Sequence, residues 1–322
     1  MNIKIWKRYY IKGEGKMAFN LYFAGSYSSM VEEKLMELGA NRLASQLNDR
    51  SLIQKWVTYI SEKEHRKLFV DSGAFSAHTK GRELYVDEYI QYLNDREGMF
   101  EVIAQVDKIP GEFGKPKTRQ QLLEAPEESW QNYLYMRPKV KDYNKLTPIF
   151  HQGEDFAHLK RMLETTFDGE HIPYIGISPA NDLNTRAKME WFETVFKIIR
   201  ESSNPNVKTH AFGMTSLKVL EKYPFYSADS TSWLMTAANG SIMTKRGIVL
   251  MSDVQIKNSK HYCHLPEDAK ESIKAEIEGW GYTVEDCMTS YKIRSLVNVA
   301  YLMDWAKNYE FKGTNRYQRR LF

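Results

Sequence analysis

Three aspartates stand where parallel strands would end. Asp71 closes the apolar run Leu68-Phe69-Val70 and is followed at once by Ser72-Gly73-Ala74-Phe75. Asp107 closes Val102-Ile103-Ala104-Gln105-Val106, and Asp229 closes Phe225-Tyr226-Ser227-Ala228. In α/β proteins the C-terminal ends of parallel strands open onto the ligand crevice, so carboxylates there can act as nucleophile, proton carrier or metal ligand. An isolated Asp-Ser-Gly is more often an ordinary turn, so a functional reading rests on the pattern not being isolated. The other strand ends offer Gln152, Gly176 and Phe212, not the His and Glu that usually complete a hard-metal site. A glutamine, a bare glycine backbone and aromatic rings suit a flat, polar heterocycle. Carboxylates accept its N–H groups and rings stack on its faces.

These residues need elements that bring them together. Apolar runs predict strands at 21–25, 68–71, 102–107, 147–153, 174–178, 210–214, 225–230 and 247–251. Helical spacing predicts helices near 30–38, 52–60, 85–93, 156–165, 187–199 and 216–222, and in the tail at 266–279 and 288–308. Ala125-Pro126-Glu127-Glu128 reads as a further helix start, after a basic loop over 111–121. Eight strands alternating with helices are the pattern of an α/β (β/α)8 barrel, with a doubly wound sheet as the alternative. The expected organisation is an appended segment over 1–18, a catalytic barrel over 19–255 and a C-terminal helical extension over 256–322. In a barrel, all the strand-end residues converge on one mouth.

The chain has 322 residues, of which 42% are hydrophobic and 13% aromatic, enough for a substantial core and against wholesale disorder. No apolar run approaches the roughly 20 residues that span a membrane, and the N-terminus lacks a signal-peptide core. The expectation is a cytoplasmic protein with no membrane partner. Cys263 and Cys287 are the only cysteines, which speaks against a disulfide scaffold and a thiolate-rich zinc site. The net charge of +4 is mildly basic, but its distribution is uneven. Lys4, Lys7, Arg8, Lys12 and Lys16 lie among Trp6, Tyr9 and Tyr10, and Lys312, Arg316, Arg319 and Arg320 lie beside Tyr317 and Phe322. Cations among aromatics suit phosphate contact and base stacking, or a solvated tail.

Read in order, Asp71-Ser72-Gly73-Ala74-Phe75, Val106-Asp107, Phe150-His151-Gln152-Gly153, Tyr174-Ile175-Gly176-Ile177-Ser178, His210-Ala211-Phe212-Gly213-Met214 and Ala228-Asp229-Ser230 resemble the tRNA-guanine transglycosylases. The order and approximate spacing match over roughly 20–250. The resemblance implies that Asp229 attacks C1′ of the nucleoside and that Asp71 contacts the base and transfers a proton. It implies that Asp107 reads the amino and ring N–H edge, and that Gln152 and Gly176 bind near the exocyclic oxygen. Phe75 and Phe212 match the side chains that sandwich the base. Ser72 and Ser178 are candidates for bonds to the base or for turn formation. His151, one residue from Gln152, is expected on the opposite side of its strand, in packing. The chemistry is that of a retaining glycosidase in which a new base takes the place of water, with the target nucleotide flipped from its stack. It calls for no cofactor.

Two departures refine the resemblance. The tRNA enzymes carry a zinc site of three Cys and one His after the barrel; here His261, Cys263, His264 and Cys287 lack that spacing, leaving only a weak Cys2His2 alternative. Gly73-Ala74-Phe75-Ser76 also replaces a Gly-Gly-aromatic-Gln pattern. Both, with Ser-Ala-Asp-Ser-Thr-Ser at 227–232, look closer to the phage and bacterial DNA 7-deazaguanine (DpdA-type) transglycosylases. These exchange guanine in DNA for a base such as preQ0. Lys115, Lys117, Arg119, Lys245 and Arg246 are then candidates for backbone contact. The alternatives are action on tRNA, a metal-dependent barrel hydrolase and an inactive nucleic-acid-binding barrel.

Overall fold

In the computed structural model the described residues are 19–312, apart from 26–27, 48–49, 62–66, 113–114, 181–182 and 215. The basic and aromatic residues expected to act within 1–18 and 313–322 lie outside them. Eight parallel staves form the centre: β1 (Asn20–Phe23), β2 (Asn41–Ser45), β3 (Leu68–Asp71), β4 (Val102–Ala104), β5 (Leu146–Thr147 with Ile149–His151), β6 (Tyr174–Ser178), β7 (Lys208–Ala211) and β8 (Ser227–Ser230). Each pairs with its neighbours in parallel, and β8 returns to β1 through the register Tyr22↔Asp229.

The ring closes through β5, whose two halves face different neighbours. Leu146 and Thr147 pair with β4, and Ile149 to His151 pair with β6. Pro148 between them has no N–H to give, but its carbonyl accepts from Gly176 N–H at 2.8 Å. The chain is therefore a (β/α)8 barrel. Helices follow the strands: α1 (Ser29–Leu38), α2 (Arg50–Ser61), the short α3 (Ala74–Thr79), α4 (Val86–Asn94), α5 (Arg119–Met136), α6 (Phe156–Glu164), α7 (Thr185–Glu201) and α8 (Leu217–Lys222). Period-two alternation sorts the side chains. Tyr22, Phe69, Val102, Ala104, Ile149 and Tyr174 fill the lumen. Leu21, Phe23, Leu68, Val70, Ile103, Phe150, Ile175 and Ile177 face the helices.

Three sequence expectations change. The segment 247–251 is not a barrel strand: Gly247–Leu250 pairs antiparallel with Ser241–Thr244 in a separate hairpin, where Ile248 is exposed and Val249 buried. Its apolar run has one face to bury, not two. The missing stave is β2, disguised by Arg42. That guanidinium is fully buried against the helix layer, bidentate on Glu32 at 3.0 and 3.1 Å, and Glu32 also accepts from Trp56 Nε1 at 2.9 Å. Third, α5 begins at Arg119, seven residues before Pro126. Thr118 and Gln121 form a reciprocal capping box that nucleates the helix within the expected loop.

After β8 the chain leaves the barrel. Helix α9 (Ser232–Ala238) still buries Trp233 in the main core, and the hairpin β9 (Ser241–Thr244) with β10 (Gly247–Leu250), α10 (Glu267–Gly279) and α11 (Val284–Thr289) build a second small core. Its buried members are Ile242, Val249, Met251, Tyr262, Ile273, Ile277, Cys287 and, from the last long helix, Val297. Helix α12 (Tyr291–Lys307) then returns to the barrel. It packs against α1 and β1, and Ala306 O accepts from Phe19 N–H at 3.0 Å. Phe19 sits against Trp305 and Tyr309, while Trp305 Nε1 and Tyr309 OH bond Glu221 and Leu220 of α8. Thus α12 fills the slot between α8 and α1, where the eighth helix of a barrel belongs.

Candidate active site at the mouth of the barrel

Asp71 ends β3 and faces the mouth. A two-residue turn follows, with Gly73 at φ 85° donating its N–H to Asp71 Oδ2 at 3.1 Å. A side chain at Gly73 would collide with Ser45 Oγ at 2.6 Å and Leu47 Cβ at 2.7 Å, so glycine serves both the backbone angle and the close approach to the β2 loop. Burial, then the neighbouring Asp107 charge, outweigh the Gly73 hydrogen bond, and Asp229 adds to them; the Asp71 pKa rises to about 7. The three aspartates thus share one electrostatic site, as the convergence of strand ends requires.

Asp107 is held on both oxygens. Gln105 Nε2 donates to Oδ1 at 2.6 Å, and His151 Nε2 lies 3.3 Å from Oδ2. The other nitrogen of His151 meets Glu154 Oε1 at 2.9 Å, and Glu154 Oε2 accepts the His151 backbone N–H at 3.1 Å. Burial opposes a charged ring, but the Asp107 and Glu154 carboxylates prevail and lift the His151 pKa to about 10. A charged imidazolium therefore sits between two acids. Alternation from Gln152 assigns His151 to packing; the structure places it at the mouth, on Asp107. The signal was present in its neighbour, since residues 149 and 151 share a side and Ile149 lines the lumen. Gln105 is fully buried beside it, and its Oε1 has no hydrogen-bond partner among the described residues.

Asp229, 7% exposed, is the penultimate residue of β8. Gly213 N–H donates to its Oδ1 at 2.9 Å, and His210 Nε2 reaches the same oxygen at 3.2 Å. His210 is fully buried and contacts Ser227 Oγ, which in turn contacts Tyr174 OH. Burial holds the His210 pKa below its ordinary value against the pull of Asp229. Phe212, just past β7, lays its ring on Gly176. A Cβ on Gly176 would come within 2.5 Å of Phe212 Cε2, so the bare backbone is what lets the ring lie there.

The remaining candidates are more dispersed. Phe75 is 59% exposed in the first turn of α3. Gln152 Oε1 accepts from Ala180 N–H at 3.1 Å, so its amide oxygen ties the β5 end to the loop after β6. Ser72 is buried with its hydroxyl on Ala74 N–H at 3.4 Å, a turn contact, and Ser178 is half-buried, paired in register with His151. Lys115, Lys117 and Arg119 are exposed in and after the β4 loop, with Lys115 paired to Glu112. Lys245 and Arg246 form the turn of the β9–β10 hairpin, and Arg246 pairs with Asp268 at 3.1 Å.

The weighed Cys2His2 set does not fit a metal. Cys287 is packed in the second core, where burial pushes its thiol up to about 12. His261 Nδ1 accepts the Cys263 N–H at 3.2 Å, and His264 Nε2 bonds Ile256 O at 2.7 Å. Among the described residues no group of three or more His, Cys, Asp and Glu is arranged to hold a metal ion, and no helix is long and apolar enough to cross a membrane. No model of a known protein family matches the chain, and a search of curated proteins finds no match either.

Proposed function

We propose that the protein exchanges guanine in nucleic acid for a 7-deazaguanine base through a covalent aspartyl intermediate. The observation that carries this is the single mouth holding three aspartates in three different states of preparation. Asp229 has both its N–H donors on Oδ1, so Oδ2 is the oxygen for C1′. Asp71, with its pKa near 7, gives a proton to a ring nitrogen of the departing base and takes one from its replacement. Asp107, gripped by Gln105 and His151, presents a fixed acceptor to the amino and ring N–H edge. Phe212 over Gly176 and the exposed Phe75 supply faces for a planar ring.

The steps balance without a redox or nucleotide cofactor. Oδ2 attacks C1′, the C1′–N bond breaks, and its electron pair leaves with the base as the Asp71 proton arrives. The incoming base loses its N–H proton to Asp71, its nitrogen attacks C1′, and the C1′–O pair returns to Asp229. Two inversions give retention. DNA is the favoured substrate, on the departures at 73–76 and in the zinc-ligand spacing. Lys115, Lys117, Arg119, Lys245 and Arg246 are the proposed phosphate contacts.

The test is incorporation of radiolabelled guanine or preQ0 into duplex DNA, single-stranded DNA and tRNA. Label in DNA alone supports the proposal, and label in tRNA alone reassigns the substrate. A denaturation-resistant protein–nucleic-acid adduct is expected from the wild type. It should vanish in Asp229→Ala, with exchange down by at least about 1,000-fold. An adduct of undiminished yield in that variant removes Asp229 from the mechanism.

A further inference from the structure

His210 lies sealed beneath the nucleophile Asp229. Its ring is fully buried, with Phe69 at 4.6 Å and Phe212 at 4.5 Å between centroids, and Tyr22 and Tyr174 farther off at 6.0 and 6.5 Å. It cannot meet a substrate directly. It touches Asp229 on one side and Ser227 on the other, and Ser227 touches Tyr174.

The direction of every hydrogen bond in this string follows from one fixed end. The Gly213 N–H can only donate, so Asp229 Oδ1 is an acceptor. A nucleophilic Asp229 reacts as the carboxylate, so Nε2 of His210 donates to it as well. Burial disfavours a charged ring, and in the neutral ring with hydrogen on Nε2 the Nδ1 atom carries none and accepts from the Ser227 hydroxyl. Ser227 Oγ, having given its proton, accepts from Tyr174 OH. Register makes the string compact: Ser227 is opposite His210, and His210 is opposite Gly176.

We infer that His210 is a positioning residue for Asp229, fixed as the Nε2–H tautomer by Ser227 and Tyr174, and that it fastens Oδ1 so that Oδ2 alone meets the sugar. The inference rests on the nucleophile assignment above. In the adduct Oδ1 becomes the ester carbonyl oxygen and keeps both donors. When the incoming base attacks C1′ and the C1′–Oδ2 bond breaks, the same N–H groups receive the returning carboxylate charge. They therefore favour the second half of the exchange over the first. Loss of the donor should slow resolution of the adduct more than its formation.

The experiment compares wild type, His210→Phe, His210→Gln, Ser227→Ala and Tyr174→Phe. Turnover, the fraction of enzyme trapped as adduct, and 15N histidine spectra are followed from pH 5 to 9. Expected for His210→Phe is a fall in turnover of about 100-fold with a larger trapped fraction. His210→Gln, which keeps an N–H, should recover part of both. Ser227→Ala and Tyr174→Phe should lower turnover roughly tenfold and mix the tautomers of His210, which in the wild type stays neutral and protonated on Nε2. If His210→Phe fails to fold, these two milder variants decide. Turnover within twofold of wild type in the variants overturns the inference. So does a fall in turnover and adduct together with no advantage for Gln, or a wild-type ring protonated on Nδ1. Absence of exchange by the wild type on any nucleic acid overturns the proposed function and this inference with it, whereas exchange by His210→Phe within twofold of the wild-type rate overturns the inference alone.

Discussion

Asp71 carries opposite demands. Its folded pKa of about 7 lies above the ordinary 3.8, so the folded state holds the proton more tightly than the unfolded chain. Its contribution to stability is greatest below pH 3.8 and declines as pH rises through about 7. Asp71→Asn removes that decline. Denaturation at pH 5 and pH 8 should show the variant gaining about 2–3 kcal/mol on the wild type across the interval, while exchange is lost. The kcat/KM of the wild type for nucleic acid should fall above pH 7, since the first half-reaction uses the protonated acid. His151 shows the opposite sign. Its pKa is raised from 6.5 to about 10, so its pairs with Asp107 and Glu154 stabilise fully below 6.5 and lose effect as pH passes 10. His151→Asn should be less stable than wild type at pH 6 and nearly equal to it above pH 10. Its KM for the free base should rise about tenfold at pH 7, because Asp107 loses one of its two anchors. The three acids and Phe212 with Gly176 were legible from the sequence because each sits at or near a strand end. His151, His210 and Gln105 were not. Their roles depend on which neighbour across the barrel they meet, and that is a matter of register.

At the scale of elements, strands with clean alternation read easily and those carrying a charge did not. β2 contains Arg42, which is buried only because Glu32 and Trp56 complete it from α1 and α2. A one-strand window sees an arginine and no strand. The β9–β10 hairpin misled in the other direction, since Ile248-Val249-Leu250 is apolar yet buries only one side. Helix caps were more faithful: Gly39 ends α1 at φ 74° as its position suggests. The contact between β6 and the turn after β7 offers a direct test. Gly176→Ala places a methyl 2.5 Å from Phe212 Cε2 and 3.0 Å from Ile149 Cγ1. The ring must swing away, at a cost of about 1–3 kcal/mol. Thermal unfolding should record that loss, and KM for the base should rise because the stacking face has moved.

For the whole molecule, the barrel was legible and its closure was not. Eight strands were expected, and eight staves are present, with one member exchanged. What no periodicity announces is that the eighth helix arrives only after the second core, as α12. Leu296, Val299, Leu302, Met303 and Ala306 of α12 all join the main core. A chain ended at residue 255 therefore leaves the β1–α8 flank uncovered. It should be insoluble or bind ANS with non-cooperative melting, whereas the full chain melts in a single barrel transition.

The contact of Phe19 with Ala306 also sets an order of events during translation. The first stave emerges early from the ribosome and waits, with one flank bare, for a helix made almost last. Until then the nascent barrel is a horseshoe, open to chaperones and to other unfinished copies. Synonymous changes that slow the ribosome within 231–290 would lengthen that wait, and should lower soluble yield without altering a single side chain.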